Sequence, residues 1–288
     1  MYASLPPWII LDPLLNSWLL EDIGRGDRTT AGLFTDQKQG QAQWILKERG
    51  VIVGFPMAAR VFQLLNSKVQ CTPLVTEGEW CEPGQPILQL EGAVDSLLMG
   101  ERVALNLVMS LSGVATLTRQ YVDKIADLPA KLVDTRKTTP GLRLLEKYAT
   151  FMGGAINHRM GLDDAVMIKD NHIAAAGGIV NAVTKVREAI PYPLTIEVET
   201  ETLAQVEEAL TAQVDIIMLD NMSLEQMRQA VEMIEAVPGR VKIEASGNIT
   251  LKTIRAVAET GVHYISTSAP ITRSTWLDIS QKFSYSRE

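Results

Sequence analysis

The chain has 288 residues, enough for two domains or one large α/β domain with an appendage at about 150 residues per domain. Hydrophobic residues make up 46% and charged residues 21%, with 20 Gly and 13 Pro, a balance that excludes collagen-like and low-complexity chains and indicates a folded, soluble protein. Lys and Arg number 27 against 34 Asp and Glu, so the chain carries −7 and lacks the overall positive field that draws proteins to nucleic acid or anionic membranes.

The opening MYASLPPWIILDPLLNSWLLED is apolar but has no leading Lys or Arg and is broken by Pro6, Pro7, Asp12 and Pro13, so it reads as a packed arm and helix. From about 40 to 95 the pattern is strand-like: QAQWILKE, VIVGFP, KVQCTPL and QPILQLEG, separated by turns, with a helical AARVFQLLN at 58–66. Residues 96–125 form a long helical region that reads as the hinge between two halves. No stretch of 18 residues is free of charge, turn signals and strong polarity, so no membrane-spanning helix is expected. Cys71 and Cys81 supply neither a disulfide framework nor a zinc shell, and a reducing, cytoplasmic compartment is expected.

Beyond Pro129 short apolar runs recur every 20 to 35 residues, each followed by a plausible helix: KLVDTRKT, DAVMIKDN, LTIEVET, DIIMLDN, VKIEASGN and VHYISTS. Six strand-helix units in series require a parallel sheet, covered on both faces. The expected fold is α/β: an incomplete parallel barrel of about six or seven strands over 116–274, after an N-terminal domain over 1–115 that the tail 275–288 completes or, alternatively, leaves for the barrel.

Each run ends in chemically capable side chains, and strand C-termini are where parallel α/β proteins build active sites. Arg136, Lys137 and Lys169, joined by His158 and Arg159 of the NHR segment, would ring one mouth. Such a cluster in an acidic protein points to a substrate with several carboxylates or phosphates; the competing reading pairs single members with nearby acids. Glu199 and Asp220 could bind ribose hydroxyls, hold Mg²⁺ through a diphosphate or face a developing positive charge. Asp220 could instead cap the following helix, although Asn221 or Ser223 suits that role better. Glu197 shares a strand face with Glu199, which leaves the choice between them open. Ser246, Gly247 and Asn248 form a strand-to-helix turn suited to a phosphate, and Thr267 and Ser268 could join that seat. His172 reads as a base, a phosphate contact or a satisfied polar core residue, the last favoured.

Seven blocks in order, EDIGRGDRTT (21–30), ERVALNLVMSLSGVAT (101–116), DTRKTTPGLR (134–143), GGAINHRMGLDDAVMIKDNH (153–172), IEVET (196–200), IIMLDN (216–221) and EASGNI (244–249), resemble the quinolinate phosphoribosyltransferases across nearly the whole chain. The resemblance implies attack of the quinolinate nitrogen on phosphoribosyl pyrophosphate, release of diphosphate, and loss of the 2-carboxylate as CO2 to give nicotinate mononucleotide for NAD synthesis. It implies an N-terminal α/β sandwich domain ahead of the barrel. Arg136, His158 and Arg159 would hold the quinolinate carboxylates, with Lys137 and Lys169 between carboxylate and phosphoribosyl groups. Glu199 and Asp220 would bind ribose and Mg²⁺ and favour an oxocarbenium-like transition state, while Ser246 with Gly247 would hold the 5′-phosphate. Arg102 would be donated across a head-to-tail homodimer, with assembly into hexamers open. One departure stands at Ile265-Ser266-Thr267-Ser268-Ala269-Pro270-Ile271, where Ser268 replaces a glycine common in the family. Two rival readings are transfer to nicotinate without decarboxylation, and an aldolase-like barrel with Lys169 as Schiff-base nucleophile.

Overall fold

The computed structural model describes residues 5–34, 38–239 and 241–284. In chain order the elements are α1 (Trp8–Ile23), α2 (Arg28–Leu33), β1 (Gln39–Leu46), β2 (Gly50–Val51), α3 (Phe55–Leu65), β3 (Gln70–Pro73), β4 (Trp80–Cys81), β5 (Pro86–Ala93) and α4 (Val94–Asp123). There follow β6 (Lys131–Val133), α5 (Arg143–Met152), β7 (Val166–Ile168), α6 (Asp170–Ala176), α7 (Ile179–Ala189), β8 (Ile196–Thr200), α8 (Leu203–Thr211) and β9 (Ile216–Asp220). The chain ends with α9 (Leu224–Glu235), β10 (Lys242–Ser246), α10 (Ile254–Ala258), β11 (Tyr264–Ser266), α11 (Ala269–Thr272) and β12 (Ile279–Ser284). Two compact units result: one of residues up to Leu117, 144–153 and from Arg273 onward, the other of 118–143 and 154–272.

In the first unit an antiparallel sheet runs in the order β12-β1-β5-β3. Along β1 the buried residues are Ala42, Trp44 and Leu46, every second position, as a sheet with one core face requires. Trp44 packs at a tilt against Phe62 of α3, ring centroids 6.4 Å apart, and its indole N–H donates to Gln281 at 2.7 Å. The tail thus returns to this sheet: β12 pairs with β1 from Gln41↔Ser284 to Leu46↔Ile279.

Helix α4 is long and apolar enough by composition to cross a membrane, yet more than half of that stretch is buried. Leu97, Ala104, Leu105 and Val108 belong to the same core as Trp44 and Phe62. Its hydroxyls also serve the sheet: Thr116 Oγ1 accepts the Val51 N–H at 2.8 Å and Ser112 Oγ accepts that of Val53 at 3.0 Å. These bonds satisfy backbone that the two-residue strand β2 leaves unpaired.

Residues 144–153, read from sequence as part of the barrel, belong to the first unit. The physical reason is Glu77, which accepts the Gly54 and Phe55 N–H groups at the start of α3 and the Tyr148 hydroxyl at 2.5 Å. The carboxylate therefore ties α5 to α3 within that unit.

In the second unit six parallel strands run in the order β6-β11-β10-β9-β8-β7, and a parallel bridge between Val133 and Ile156 extends the β6 side. Helices on the outside start at chemically specified points. Ser223 Oγ accepts the Gln226 N–H at 3.2 Å while Gln226 accepts that of Ser223 at 3.0 Å, a reciprocal cap that opens α9. Ser223, not Asp220, is the cap, which leaves the Asp220 carboxylate for the mouth of the barrel.

Gly113 stands in the interior of α4, where Gly→Ala ordinarily stabilises a helix by about 1 kcal/mol. A Cβ there would lie 2.0 Å from the Thr275 carbonyl oxygen, a backbone atom. Gly113→Ala is therefore expected to lower stability instead, read as a reduced denaturation midpoint at unchanged m-value.

Candidate active site

The C-terminal ends of the six parallel strands open into a cavity of about 580 Å³ lined by Arg136, Lys137, His158, Arg159, Lys169, Glu199, Asp220, Ser246, Gly247, Asn248, Thr267 and Ser268. Twelve of the thirteen residues expected from sequence therefore converge. The thirteenth, Arg102, lies on α4 in the first unit with an exposed side chain, 3.8 Å from the Glu101 carboxylate.

The cations differ in how they are held. Arg136 has a buried Nε with no hydrogen-bond partner, a donor whose desolvation is uncompensated. Arg159 donates to the Ala165 carbonyl at 2.7 Å, and its pKa is lowered by burial and then by repulsion from Arg136, against attraction to Glu197 and Asp164. The NHR segment is fixed from below by Asp134, whose carboxylate accepts the Asn157 side-chain amide at 2.6 Å and the His158 N–H at 2.9 Å.

His158 lines the cavity with both ring nitrogens engaged by protein groups. Nδ1 accepts the Arg159 N–H at 2.7 Å, and Nε2 lies 3.1 Å from Glu197 and 3.7 Å from Glu244. The ring lines the cavity while Nε2 faces the two buried acids of its floor.

Glu197 and Glu199 separate by depth. Glu199 pairs with Lys169 Nζ at 2.5 Å at the mouth, whereas Glu197 is buried beside His158. Asp220 completes the acidic wall; burial first, and the Glu199 charge second, raise its pKa, while Lys137 and Lys169 oppose that shift. Lys169 also opens α6, where its N–H donates to His172 Nδ1 at 3.0 Å. His172 is therefore a positioned polar residue of the helix start.

Two residues that the sequence marks only as polar side chains at run ends, Asn221 and Glu244, take more specific places in the structure. Asn221 sits at φ 54 with its N–H donated to the Ser246 carbonyl, and its side chain joins Asp220 at 2.8 Å to Asn248 at 3.1 Å. The signal was available, since an asparagine following a strand is a common left-handed residue. Gly247, at φ +95, faces it: a Cβ would stand 2.9 Å from the Asn221 backbone nitrogen, so only glycine closes this turn without strain. The other, Glu244, is buried on the floor of the cavity, a depth that its place near the end of the VKIEASGN run does not reveal. Ser268, by contrast, is accommodated: positive φ among the described non-glycine residues is confined to Gln213, Asn221 and Asn248, so position 268 does not need glycine. Its carbonyl accepts the N–H groups of Ile271 and Thr272, which starts α11.

An acidic pair, two guanidiniums, two lysines and a tight Ser-Gly-Asn turn in one cavity can bind a polyanion and steady positive charge developing beside it. Residues 27–112 match the N-terminal domain of quinolinate phosphoribosyl transferase and residues 114–282 its C-terminal domain. A Synechocystis protein named "Probable nicotinate-nucleotide pyrophosphorylase [carboxylating]" is 59% identical over 280 residues, 97% of this chain and 95% of that one. A Bacillus subtilis protein of the same name is 44% identical over 96% of this chain and 95% of its own. The crystal structure of NadC from Streptococcus pyogenes superposes with a TM-score of 0.93 at 42% identity, covering 98% of this chain and 99% of that one. With both domains matched in order and the cavity at their expected strand ends, the chain belongs to the quinolinate phosphoribosyl transferase family.

Proposed function

We infer that the chain transfers the phosphoribosyl group of phosphoribosyl pyrophosphate to quinolinate with decarboxylation, forming nicotinate mononucleotide, diphosphate and CO2 for NAD synthesis. The observation that carries this for the cavity itself is the buried, partnerless Nε of Arg136 beside the charge-strained Arg159. Two guanidiniums held together at that cost suit a dicarboxylate better than a monocarboxylate.

In the transfer, the pyridine nitrogen lone pair forms a bond to the anomeric carbon as the bond to diphosphate breaks. Arg136 and Arg159 hold the two quinolinate carboxylates and orient the nitrogen. Glu199 and Asp220 bind the ribose hydroxyls and stabilise the oxocarbenium-like positive charge. Lys137 and Lys169 offset the negative charge of the carboxylates and phosphates, and Ser246, Gly247, Asn248, Thr267 and Ser268 receive the 5′-phosphate. When CO2 departs, the electron pair of the broken bond stays at C2 as an ylid-like carbanion stabilised by the adjacent pyridinium charge, and that pair then takes up a proton in place of the carboxylate.

Glu199 and Asp220 also fit a divalent cation: both offer hard oxygen donors, and the raised Asp220 pKa marks acidic charge that Mg²⁺ would relieve. Held there through the substrate diphosphate, Mg²⁺ would neutralise charge on the leaving group. The exposed Arg102 guanidinium supports a head-to-tail homodimer in which it reaches the partner's site. A reducing, cytoplasmic setting accords with Cys71 and Cys81 as unpaired thiols, that of Cys71 pushed up to about 12 by burial.

The direct test incubates the pure protein with quinolinate, phosphoribosyl pyrophosphate and Mg²⁺ and follows nicotinate mononucleotide and CO2 together. Equal amounts of both are expected, and nucleotide formed from nicotinate alone would overturn the reading. Arg136→Ala is expected to raise the quinolinate KM by about one to two orders of magnitude, the cost of losing a charge-assisted bond of about 1.5–3 kcal/mol, with little change for phosphoribosyl pyrophosphate. Arg136→Lys should not restore it, since the buried Nε is lost with the planar fork. For the dimer, mixing refolded Arg102→Ala and Lys169→Ala subunits, each nearly inactive, should recover about a quarter of wild-type activity by random pairing. No recovery would place Arg102 outside the partner's site.

A further inference from the structure

Beneath the cations lies a group of side chains that the transfer mechanism leaves unused. Glu197 on β8 and Glu244 on β10 are both buried, 2% and 4% exposed, and each has an Oε1 with no hydrogen-bond partner. Their ligand oxygens and His158 Nε2 lie within 4.8 Å of one another. His158 Nδ1 accepts the Arg159 N–H at 2.7 Å, so that nitrogen carries no hydrogen. The ring is then the neutral form with its single hydrogen on Nε2, directed at the nearer acid, Glu197, at 3.1 Å rather than Glu244 at 3.7 Å.

A neutral ring cannot balance two carboxylates. Two like charges this close and cut off from water repel, and one of the pair keeps its proton. Glu197 has the compensation of the imidazole N–H and of attraction to Arg159. Glu244 faces Glu197 and Asp134, both of which disfavour its charge; a neutral His158 ring offers no opposing positive charge, and the Ser266 hydroxyl has no hydrogen-bond partner. We propose that Glu244 is a positioning residue for the base pocket: standing protonated beside Glu197, it keeps further negative charge off the floor and holds His158 against the Arg159 backbone, so that Arg136 and Arg159 stay directed at the substrate carboxylates. The placement of its pKa at about 7, raised by burial first and by Glu197 second, agrees with this.

A second charge in the floor would compete with quinolinate for the two guanidiniums. As pH rises through the Glu244 value the acid ionises, and the base pocket weakens. This deepens the assignment of Arg136 and Arg159 to the quinolinate carboxylates and rests on it, so one arm of the test uses no substrate. The chain has three histidines, His158, His172 and His263, which makes ring-nitrogen NMR assignable. In the wild-type protein at pH 7 His158 is expected as the neutral Nε2–H tautomer, and Glu244→Gln should preserve it.

The kinetic arm is run at saturating phosphoribosyl pyrophosphate. Glu244→Gln, which keeps the shape and a donor but cannot ionise, should leave kcat and the quinolinate KM near wild type at pH 6. Between pH 6 and 8 the wild-type quinolinate KM should rise about tenfold, as expected for an acid of pKa near 7 whose charged form does not bind, while that of Glu244→Gln stays flat. Glu244→Ala should raise the quinolinate KM at both pH values with kcat little changed. Should Glu244→Ala not fold, the contrast between wild type and Glu244→Gln decides. The proposal is overturned by a protonated or Nδ1–H His158 at pH 7, by matching pH profiles of wild type and Glu244→Gln, or by Glu244→Gln losing as much activity as a truncation. Loss of transfer activity in the wild-type protein itself would instead overturn the function, leaving the NMR result to stand alone.

Discussion

Everything at the mouth of the barrel depends on keeping two guanidiniums, Arg136 and Arg159, close together in a partly dehydrated cavity although they repel each other. Left to relax, such a pair would separate into water or fold onto neighbouring acids. Here the surroundings prevent both. Asp134 anchors the backbone of the NHR segment through Asn157 and His158, and the Ala165 carbonyl takes one nitrogen of Arg159. Arg136 retains a buried Nε without an acceptor, so the free protein holds an unsatisfied donor that an anion can complete. The cost is paid in the folded state before the substrate arrives, which is what preorganisation means in energetic terms.

The acidic wall opposite follows a different logic. Glu199 and Asp220 stand at adjacent strand ends, one bonded to Lys169 and the other influenced by Lys137 and Lys169. Acids and lysines therefore share one rim of the cavity, each moderating the charge of the other. The turn formed by Asn221, Gly247 and Asn248 sets the edge of this wall. Two adjacent strands each end in a left-handed asparagine, and the missing Cβ of Gly247 lets them approach.

The first unit shows the same economy in its backbone accounting. Strand β2 is too short to satisfy its own backbone groups, and Ser112 and Thr116 of α4 supply the acceptors. Glu77 joins the start of α3 to Tyr148 of α5, a segment 71 residues away in sequence. Polar side chains in apolar elements thus act as joints between pieces of chain, while Trp44, Phe62 and the buried face of α4 provide the apolar contact that makes those joints dry.

Local pattern determined a great deal. Period-two burial marked β1, recurring apolar runs marked the six parallel strands, and their ends named the cavity residues from Arg136 to Ser268 because strand C-termini in this architecture share one face. The match of seven blocks to one family brought the chemistry. What tertiary structure alone decided was depth, pairing and ownership. Glu197 and Glu199 share a strand face, and alternation specifies a face but not which of two residues about 7 Å apart along a strand is sealed from water. Glu244 came to face His158 only when β10 lay near the NHR segment, an encounter between residues distant in sequence. Residues 144–153 joined the first unit through Glu77, and the tail returned to β1 through hydrogen bonds that no local propensity encodes. Sequence periodicity reports what each segment can bury, whereas the identity of its partner depends on closing the whole chain.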